Sequence, residues 1–116
     1  MKLTDLDAEF LRYERHADGH VYLPHVDSID IAHGVEFLCP KCFVELGGKI
    51  GCHAIICWSR SRGTPDTAAP GPGRWRMVGT GLHDLTLDAE FDGGARSVAV
   101  TGGCEAHFHV TNGRAV

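Results

Sequence analysis

Two segments far apart in the chain carry the residue types that bind soft metal ions. Cys39 and Cys42 are separated by two residues, and Cys104 and His107 repeat the same spacing. A CxxC turn directs both sulfurs to a common point, where each can lie about 2.3 Å from a metal ion. Three sulfurs and one imidazole form a ligand set that favours zinc, so these four residues predict one tetrahedral Zn²⁺ site.

The separation of the two half-sites limits how they can meet. Between Cys42 and Cys104 lie 61 residues, many more than in a compact zinc ribbon. We therefore expect the intervening chain to form the domain, with a zinc-ribbon-like knuckle between two strands and zinc joining early and late strands. The alternative is a CxxC of buried or redox-active thiols. Thioredoxin-like chemistry requires a helix after the motif, and residues 43–48 are too few for that.

Further cysteines and histidines lie near these half-sites in the sequence. His109 follows His107 by two residues and would lie on the same strand face. We expect an exposed strand histidine there; the alternative is an extra ligand or a hydrogen-bond partner of one. His53 is a candidate for the same supporting role. Because His53 and Cys57 would stand ~13 Å apart along a flat strand, they cannot both bind one ion. We expect Cys52 and Cys57 to pack as small apolar residues.

The number of protein ligands separates two functions. Four protein ligands close a zinc site and make it structural, whereas three ligands and a water can activate that water. We expect a closed site in a protein that acts by binding rather than catalysis. The alternative is a zinc-dependent hydrolase with an open site, in which Glu36 or Asp84 would serve as the base.

A cluster of cations and large aromatic rings is the best candidate for a partner-binding surface. Residues 37–76 contain six basic and two acidic residues, although the whole chain has a net charge of -4 and is no polycation. Such a surface could bind phosphate and stack a base or a peptide ring. The alternative is a basic loop whose tryptophans anchor it to the core. The residues of this Arg/Trp cluster are Trp58, Arg60, Arg62, Arg74, Trp75 and Arg76.

Composition and length predict a single, mainly β (α+β) domain over residues 1–116. Fifteen glycines and only 8% aromatic residues indicate many turns and short antiparallel strands. Residues 1–15 are the exception, because Leu3, Leu6, Phe10 and Tyr13 have helical spacing and predict an N-terminal helix. Residues 35–116 would form the zinc-binding β core. No apolar run approaches the ~18 residues of a membrane span, and no secretion signal precedes the domain, so we expect a cytoplasmic protein.

Several strands are predicted by local patterns. Apolar runs predict strands over residues 35–38, 43–46 and 51–58, with the knuckle between the first two and a turn at Gly47-Gly48 before the third. Alternation over residues 85–91 and 96–101 predicts a hairpin. A second hairpin is predicted by Asn112-Gly113, the preferred sequence for a two-residue turn. The proline- and glycine-rich composition of residues 59–73 predicts an irregular surface loop.

Seven short sequence motifs, taken together, resemble those of a family of small phage and prophage proteins of unknown function. The resemblance implies a phage origin, action in the cytoplasm of a bacterial host, and the ligand set Cys39, Cys42, Cys104 and His107. We therefore expect a phage accessory protein with structural zinc that binds a protein or nucleic-acid partner. Cys52 and His109 depart from the family pattern. The motifs are Thr4 to Phe10, Phe37 to Phe43, His53 with Ile56 to Trp58, Pro70 to Trp75, Gly79 to Leu87, Thr101 to Cys104 with His107, and Thr111 to Gly113.

Overall fold

The computed structural model describes residues 1–116 and shows a mainly β fold with one α-helix. The prediction of a small domain with antiparallel sheets is confirmed. Helix α1 spans Pro40–Leu46, and short 3₁₀ helices span Leu3–Asp5, Ile29–Ile31 and Arg60–Arg62. The strands are β1 Glu9–Leu11, β2 Glu14–Arg15, β3 Val21–Tyr22, β4 His25–Val26, β5 Gly34–Leu38, β6 Ala54–Trp58, β7 Trp75–Val78, β8 Thr86–Ala89, β9 Val98–Ala99, β10 His107–Phe108, β11 Val110–Thr111 and β12 Arg114–Ala115.

The largest sheet has four antiparallel strands in the order β4-β1-β5-β6. Side chains alternate along each strand, so one face of the sheet is lined by Val35, Phe37, Ile55 and Cys57, all buried in the main core. Phe108 of β10 closes the other side of that core, with its ring 5.9 Å from the ring of Phe37. The sheet therefore packs against the C-terminal part of the chain.

The opposite face of the sheet is covered by Trp58, which is 1% exposed and packs with Leu11 and Ala68. Gly34 lies directly beneath the indole, in register with Trp58. A Cβ at Gly34 would lie 2.6 Å from the indole ring, so the sheet needs a residue without a side chain there.

The predicted N-terminal helix is absent, and its residues form the 3₁₀ helix and strand β1 instead. Leu3, Leu6 and Phe10 are buried as the helical pattern requires. However, Asp7 has a positive φ of 50°, which ends any helix, and Leu11 is buried as well. Strand β1 buries Phe10 and Leu11 on opposite faces by pairing with both β4 and β5, and this tertiary pairing overrides the local helical spacing.

The hairpin predicted for residues 85–101 is also wrong, whereas the C-terminal hairpin is confirmed. Strand β8 pairs with β7, the preceding strand, and β9 pairs with β10. Strand β7 was not predicted, although Met77 is buried and alternates with exposed neighbours. Strands β11 and β12 pair across Asn112-Gly113. The loop over residues 59–73 is irregular apart from one 3₁₀ helix, as predicted.

Both chain termini belong to the same corner of the fold. The Met1 ammonium group donates to the carbonyl oxygen of Ala115 at 2.9 Å, and Leu3 donates to Gly113 at 2.9 Å. These bonds attach the first residues to the C-terminal hairpin. No helix has the length and apolar character to cross a membrane.

Candidate metal centre

Four side chains from three parts of the fold converge on one point. The ligand atoms of Cys39, Cys42, His53 and Cys104 all lie within 4.8 Å of one another. The sulfurs of Cys39 and Cys104 are 3.7 Å apart, and Nε2 of His53 is 3.4 Å from the sulfur of Cys104. A tetrahedral zinc with Zn–S near 2.3 Å and Zn–N near 2.05 Å requires separations of about 3.8 Å and about 3.6 Å. The observed distances therefore fit a metal ion at the centre of the cluster.

Cys39 and Cys42 are positioned by the junction of β5 and helix α1. Cys39 ends the strand segment and is fully buried, and Pro40 begins the helix, where its missing N–H costs no hydrogen bond. The helix places Cys42 one turn after Cys39, so that both sulfurs face the same point. The expected strand after the knuckle is instead a seven-residue helix, Pro40–Leu46, with Gly47 as its C-cap. The prediction that too few residues follow the motif for a helix is therefore wrong, although β5 and β6 pair antiparallel and form no βαβ unit.

His53 occupies the fourth position of the cluster because of the register between β5 and β6. Leu38 pairs with Ala54, and the ladder continues one step further, where the Cys39 N–H donates to the carbonyl oxygen of His53 at 2.9 Å. His53 therefore lies directly opposite Cys39. The sequence carried a partial signal for this neighbour, because strands were predicted over residues 35–38 and 51–58. Once residues 40–46 form a helix rather than a strand, antiparallel pairing of those two strands brings residues 39 and 53 together.

Cys104 projects from the turn that joins β9 to β10. Gly102, Gly103 and Glu105 all have positive φ angles, which give the turn its tight shape. The Ala106 N–H stabilises the thiolate form of Cys104. The Lys41 ammonium group of α1 donates to the Cys104 carbonyl oxygen at 2.6 Å and holds this turn beside the helix.

His107 was predicted as the fourth ligand, and the structure places it outside the cluster. Ala106 and Phe108, its neighbours in sequence, are both buried in the main core. Because side chains alternate along a strand, His107 and His109 both lie on the exposed face of this segment. The two histidines do share a face, as expected, but it is the face opposite to the core.

The remaining two cysteines have different surroundings. Cys57 is fully buried in the main core, where burial raises its thiol pKa, so it packs as a small apolar residue as predicted. Cys52 lies beside the cluster, and its thiol donates to the Cys39 carbonyl oxygen at 3.3 Å. Burial, together with the nearby Cys39 charge, raises the pKa of the Cys52 thiol. All five cysteines are free thiols.

The thiols of the cluster differ widely in pKa. Burial and hydrogen bonds with Cys104 and Cys39 raise the pKa of the Cys42 thiol to about 12. The Ala106 N–H and the His53 ring lower the pKa of the Cys104 thiol to about 7. Three thiolates so close together repel one another, and a divalent cation at their centre removes this repulsion. The arrangement is suited to hold a metal ion.

The predicted Arg/Trp cluster does not form one free surface. Trp58 is buried, and its indole N–H donates to the Ala69 carbonyl oxygen at 2.8 Å. Arg60 and Arg76 form ion pairs with Asp66 and Asp88. The other two arginines donate to backbone carbonyl groups: Arg62 to those of Ile29 and Met77, and Arg74 to several within the 59–73 loop. The half-buried Trp75 donates to Ser97.

The chain was compared with known proteins by sequence and by structure. No protein-family model, no curated protein and no solved structure matches it.

Proposed function

We propose that this chain is a zinc-stabilised binding domain in which one Zn²⁺ is bound by Cys39, Cys42, His53 and Cys104. The observation that carries the proposal is the convergence of four soft or borderline donor atoms within 4.8 Å of one another. Thiolate and imidazole donors select zinc over the hard cations, which prefer oxygen. Four protein ligands complete a tetrahedral shell and leave no position for a reactive water.

The surroundings of the cluster support a structural role. A catalytic zinc needs an open coordination position and a base near the bound water. The two carboxylates considered as a base already have other partners. Asp84 accepts three hydrogen bonds from Thr80 and Gly81, and Glu36 lies 3.7 Å from His25. Binding a partner is therefore the better interpretation of the domain.

A protein partner fits this structure better than a nucleic acid. Nucleic-acid binding requires cations that are free to replace counterions on phosphate groups. In this domain Arg60 and Arg76 are paired with carboxylates, and Trp58 is buried and not free to stack. Only Arg62 and Arg74 of the Arg/Trp cluster lack a carboxylate partner, and two cations are few for a phosphate backbone. The assignment to a phage or prophage and to the bacterial host cytoplasm rests on the sequence resemblance alone.

The test is direct measurement of the coordination shell. Protein purified without added metal should contain about one equivalent of zinc, and X-ray absorption should show three sulfurs and one nitrogen with no oxygen. A shell in which a water oxygen replaces His53 would instead favour the zinc-dependent hydrolase. A folded protein with no bound metal would refute the proposal.

A further inference from the structure

We propose that the groove between the free edges of β6 and β9 binds an extended, mainly apolar peptide segment of a partner protein, with an acidic side chain at the Arg74 end. The groove has a volume of about 480 Å³, within the range of ligand-binding pockets. Its walls are Ala54 and Ile56 on one side and Val98 and Ala99 on the other. The inference deepens the proposed function, because it names the binding surface and the class of partner.

The edge of β6 is open to a further strand. Strand β6 lies at the end of the four-stranded sheet and pairs only with β5. The His53 carbonyl oxygen accepts from Cys39, and the Ser59 N–H donates to His33, so both residues direct backbone groups toward β5. Because this direction alternates along a strand, the backbone groups of Ala54 and Ile56 point away from β5. No loop or side chain supplies a hydrogen bond to either residue. An extended peptide can satisfy these groups by adding a strand.

The opposite wall offers a second free edge. Strand β9 pairs only with β10, and the Val100 N–H donates to the Ala106 carbonyl oxygen at 2.8 Å on that side. Because backbone groups alternate in direction along a strand, those of the neighbouring Ala99 point the other way, toward the groove. Trp75 adds an aromatic face to the lining, and its indole is fixed by a hydrogen bond to the Ser97 carbonyl oxygen at 3.2 Å. A strand inserted between these walls would find backbone partners at its edges and apolar contacts for its side chains.

The charge of the groove indicates which peptide it accepts. Arg74 is the only residue of the lining that carries a permanent charge, and no Asp or Glu lies among the others. Its guanidinium donates to the carbonyl oxygens of Ala68, Pro70 and Gly73, while its Nε is buried without a partner. No carboxylate pairs with Arg74 in this chain, so an acidic side chain of the ligand would neutralise its charge.

The two ends of the groove differ, which sets the position of the acidic side chain. His53 lies at one end, where three thiolates and Zn²⁺ together carry a net negative charge. The loop that contains Arg74 lies at the other end, since Trp58 at the end of β6 donates to Ala69. From His53 to Ile56 the edge is about 10 Å long, enough for about four extended residues.

The metal site determines the distance between the two walls. His53 precedes β6, and Cys104 belongs to the turn that follows β9. A metal ion bound by both residues holds the two walls at a fixed separation. In this respect the inference rests on the proposed function, and we expect peptide binding to weaken when the metal is removed.

The experiment selects peptides that bind the zinc-loaded domain from a displayed library of random octapeptides. Peptides that also bind the Ile56→Pro variant are removed by counter-selection. Proline at position 56 removes the N–H that faces the groove and leaves the hydrogen bonds to β5 in place, which an edge strand tolerates. It also removes the isoleucine side chain, which packs beside Trp58, and Ile56→Ala controls for that loss. Enriched peptides should alternate apolar residues and contain Asp or Glu. Synthetic copies should bind the variant at least tenfold more weakly, and methylation of alternate peptide amides should have the same effect. Ile56→Ala, which keeps the N–H, should weaken binding less.

A charge-matched pair of variants tests the electrostatic part. Ala99 is exposed, so Ala99→Glu and Ala99→Lys should both fold. The glutamate should weaken binding of the selected peptides at least fivefold, while the lysine should leave it unchanged or tighten it. Equal binding by both variants, or by Ile56→Pro, would overturn the inference. Dimerisation of the chain that Ile56→Pro abolishes would also overturn it, because a second copy would then be the occupant.

Zinc content measured on the same samples separates the two proposals. A folded, metal-free domain that still binds the selected peptides would refute the structural zinc and retain the groove. A zinc-loaded domain that enriches no peptide over the Ile56→Pro control would retain the zinc and refute the groove.

Discussion

His53 is the residue that decides what kind of metal site this is. With His53 bound, the metal has four protein ligands, and without it the fourth position would be open to water. Its Nε2 atom is 3.4 Å from the Cys104 sulfur, yet its side chain is exposed at the margin of the cluster. His53 is therefore the member of the cluster that solvent can reach most directly, and its removal should loosen a bound metal without disturbing the core.

We expect His53→Ala to weaken zinc binding by at least tenfold, with zinc lost during dialysis against a mild chelator. The fourth ligand would then be water, which cannot replace the imidazole contribution. The matched control is His107→Ala, which removes the exposed histidine originally expected to bind the metal. This variant should keep one equivalent of zinc. Elemental analysis after dialysis is the measurement, and zinc loss from His107→Ala with retention in His53→Ala would contradict the assignment.

At the level of secondary structure, the sequence predicted best what depends on neighbouring residues. The Asn112-Gly113 turn, strand β5 and strand β6 all follow from short patterns, and three of the four clustered side chains follow from the CxxC and from Cys104. Each of these features is determined within a few residues, so no knowledge of the overall fold is needed to find it.

The errors lie where distant pairing determines the outcome. Residues 1–15 have helical spacing, but β1 lies between β4 and β5, and only that position explains why both Phe10 and Leu11 are buried. The error in the fourth member of the cluster, His107 in place of His53, also arises from distant pairing. The spacing of Cys104 and His107 suggested a second knuckle, whereas the register of β5 and β6 places His53 opposite Cys39. Register between strands is a tertiary property that spacing alone does not reveal.

Among the glycines, Gly113 of the C-terminal hairpin leaves the least room for a side chain, and Gly113→Ala should disrupt the hairpin. Gly113 has φ of +78°, and a Cβ there would lie 2.1 Å from the carbonyl oxygen of His83. Gly19→Ala is the matched control, because Gly19 has φ of +86° with nothing within 4 Å. The control should lose roughly 1–2 kcal/mol of unfolding free energy from backbone strain alone. Gly113→Ala should lose clearly more, measured by urea denaturation, and equal losses would show that the hairpin is not packed this closely.

The turn between β7 and β8 should give the fold an acid-sensitive contribution through Asp84. Hydrogen bonds from the Thr80 hydroxyl and from the Thr80 and Gly81 N–H groups lower its pKa from 3.8 to about 2. A lowered pKa in the folded state means that the stabilisation is present above about pH 4 and is lost as the pH falls toward 2. The stability difference between the wild type and Asp84→Asn should therefore shrink from pH 5 to pH 2.

Urea denaturation at each pH measures that difference. Acid also releases bound metal, but it does so from the wild type and from the variant alike, so this effect cancels in the difference between them. Asp92→Asn is the control, since the Asp92 side chain makes no hydrogen bond or ion pair. Its difference from the wild type should be small at every pH. A constant difference for Asp84→Asn would show that the turn does not favour the ionised carboxylate.

At the scale of the whole molecule, a metal ion bound at the cluster would join parts that the backbone alone connects weakly. Apart from the four-stranded sheet, every sheet has only two strands, and β9 and β10 contribute two residues each. Isolated two-stranded hairpins are marginally stable in water. The Cys104 sulfur connects the β9–β10 turn to the end of β5, the start of α1 and the start of β6. One ion bound there would attach the C-terminal part of the core to the main sheet.

Removal of zinc should therefore destabilise the entire domain rather than one loop. With free zinc at a thousandfold its Kd, binding stabilises the folded state by about 4 kcal/mol. For a domain of this length, the Tm should fall by roughly 15 °C or more on chelation. Circular dichroism with and without chelator measures the change in Tm. Readdition of Zn²⁺ should restore the original Tm, whereas Mg²⁺ should not, because sulfur ligands disfavour hard cations.

Two cysteine variants provide a matched comparison. Cys39→Ser should behave like the chelated protein, whereas Cys57→Ala, which alters a buried thiol outside the cluster, should retain the zinc-dependent shift. An unchanged Tm after complete removal of the metal would mean that packing alone holds the two halves together.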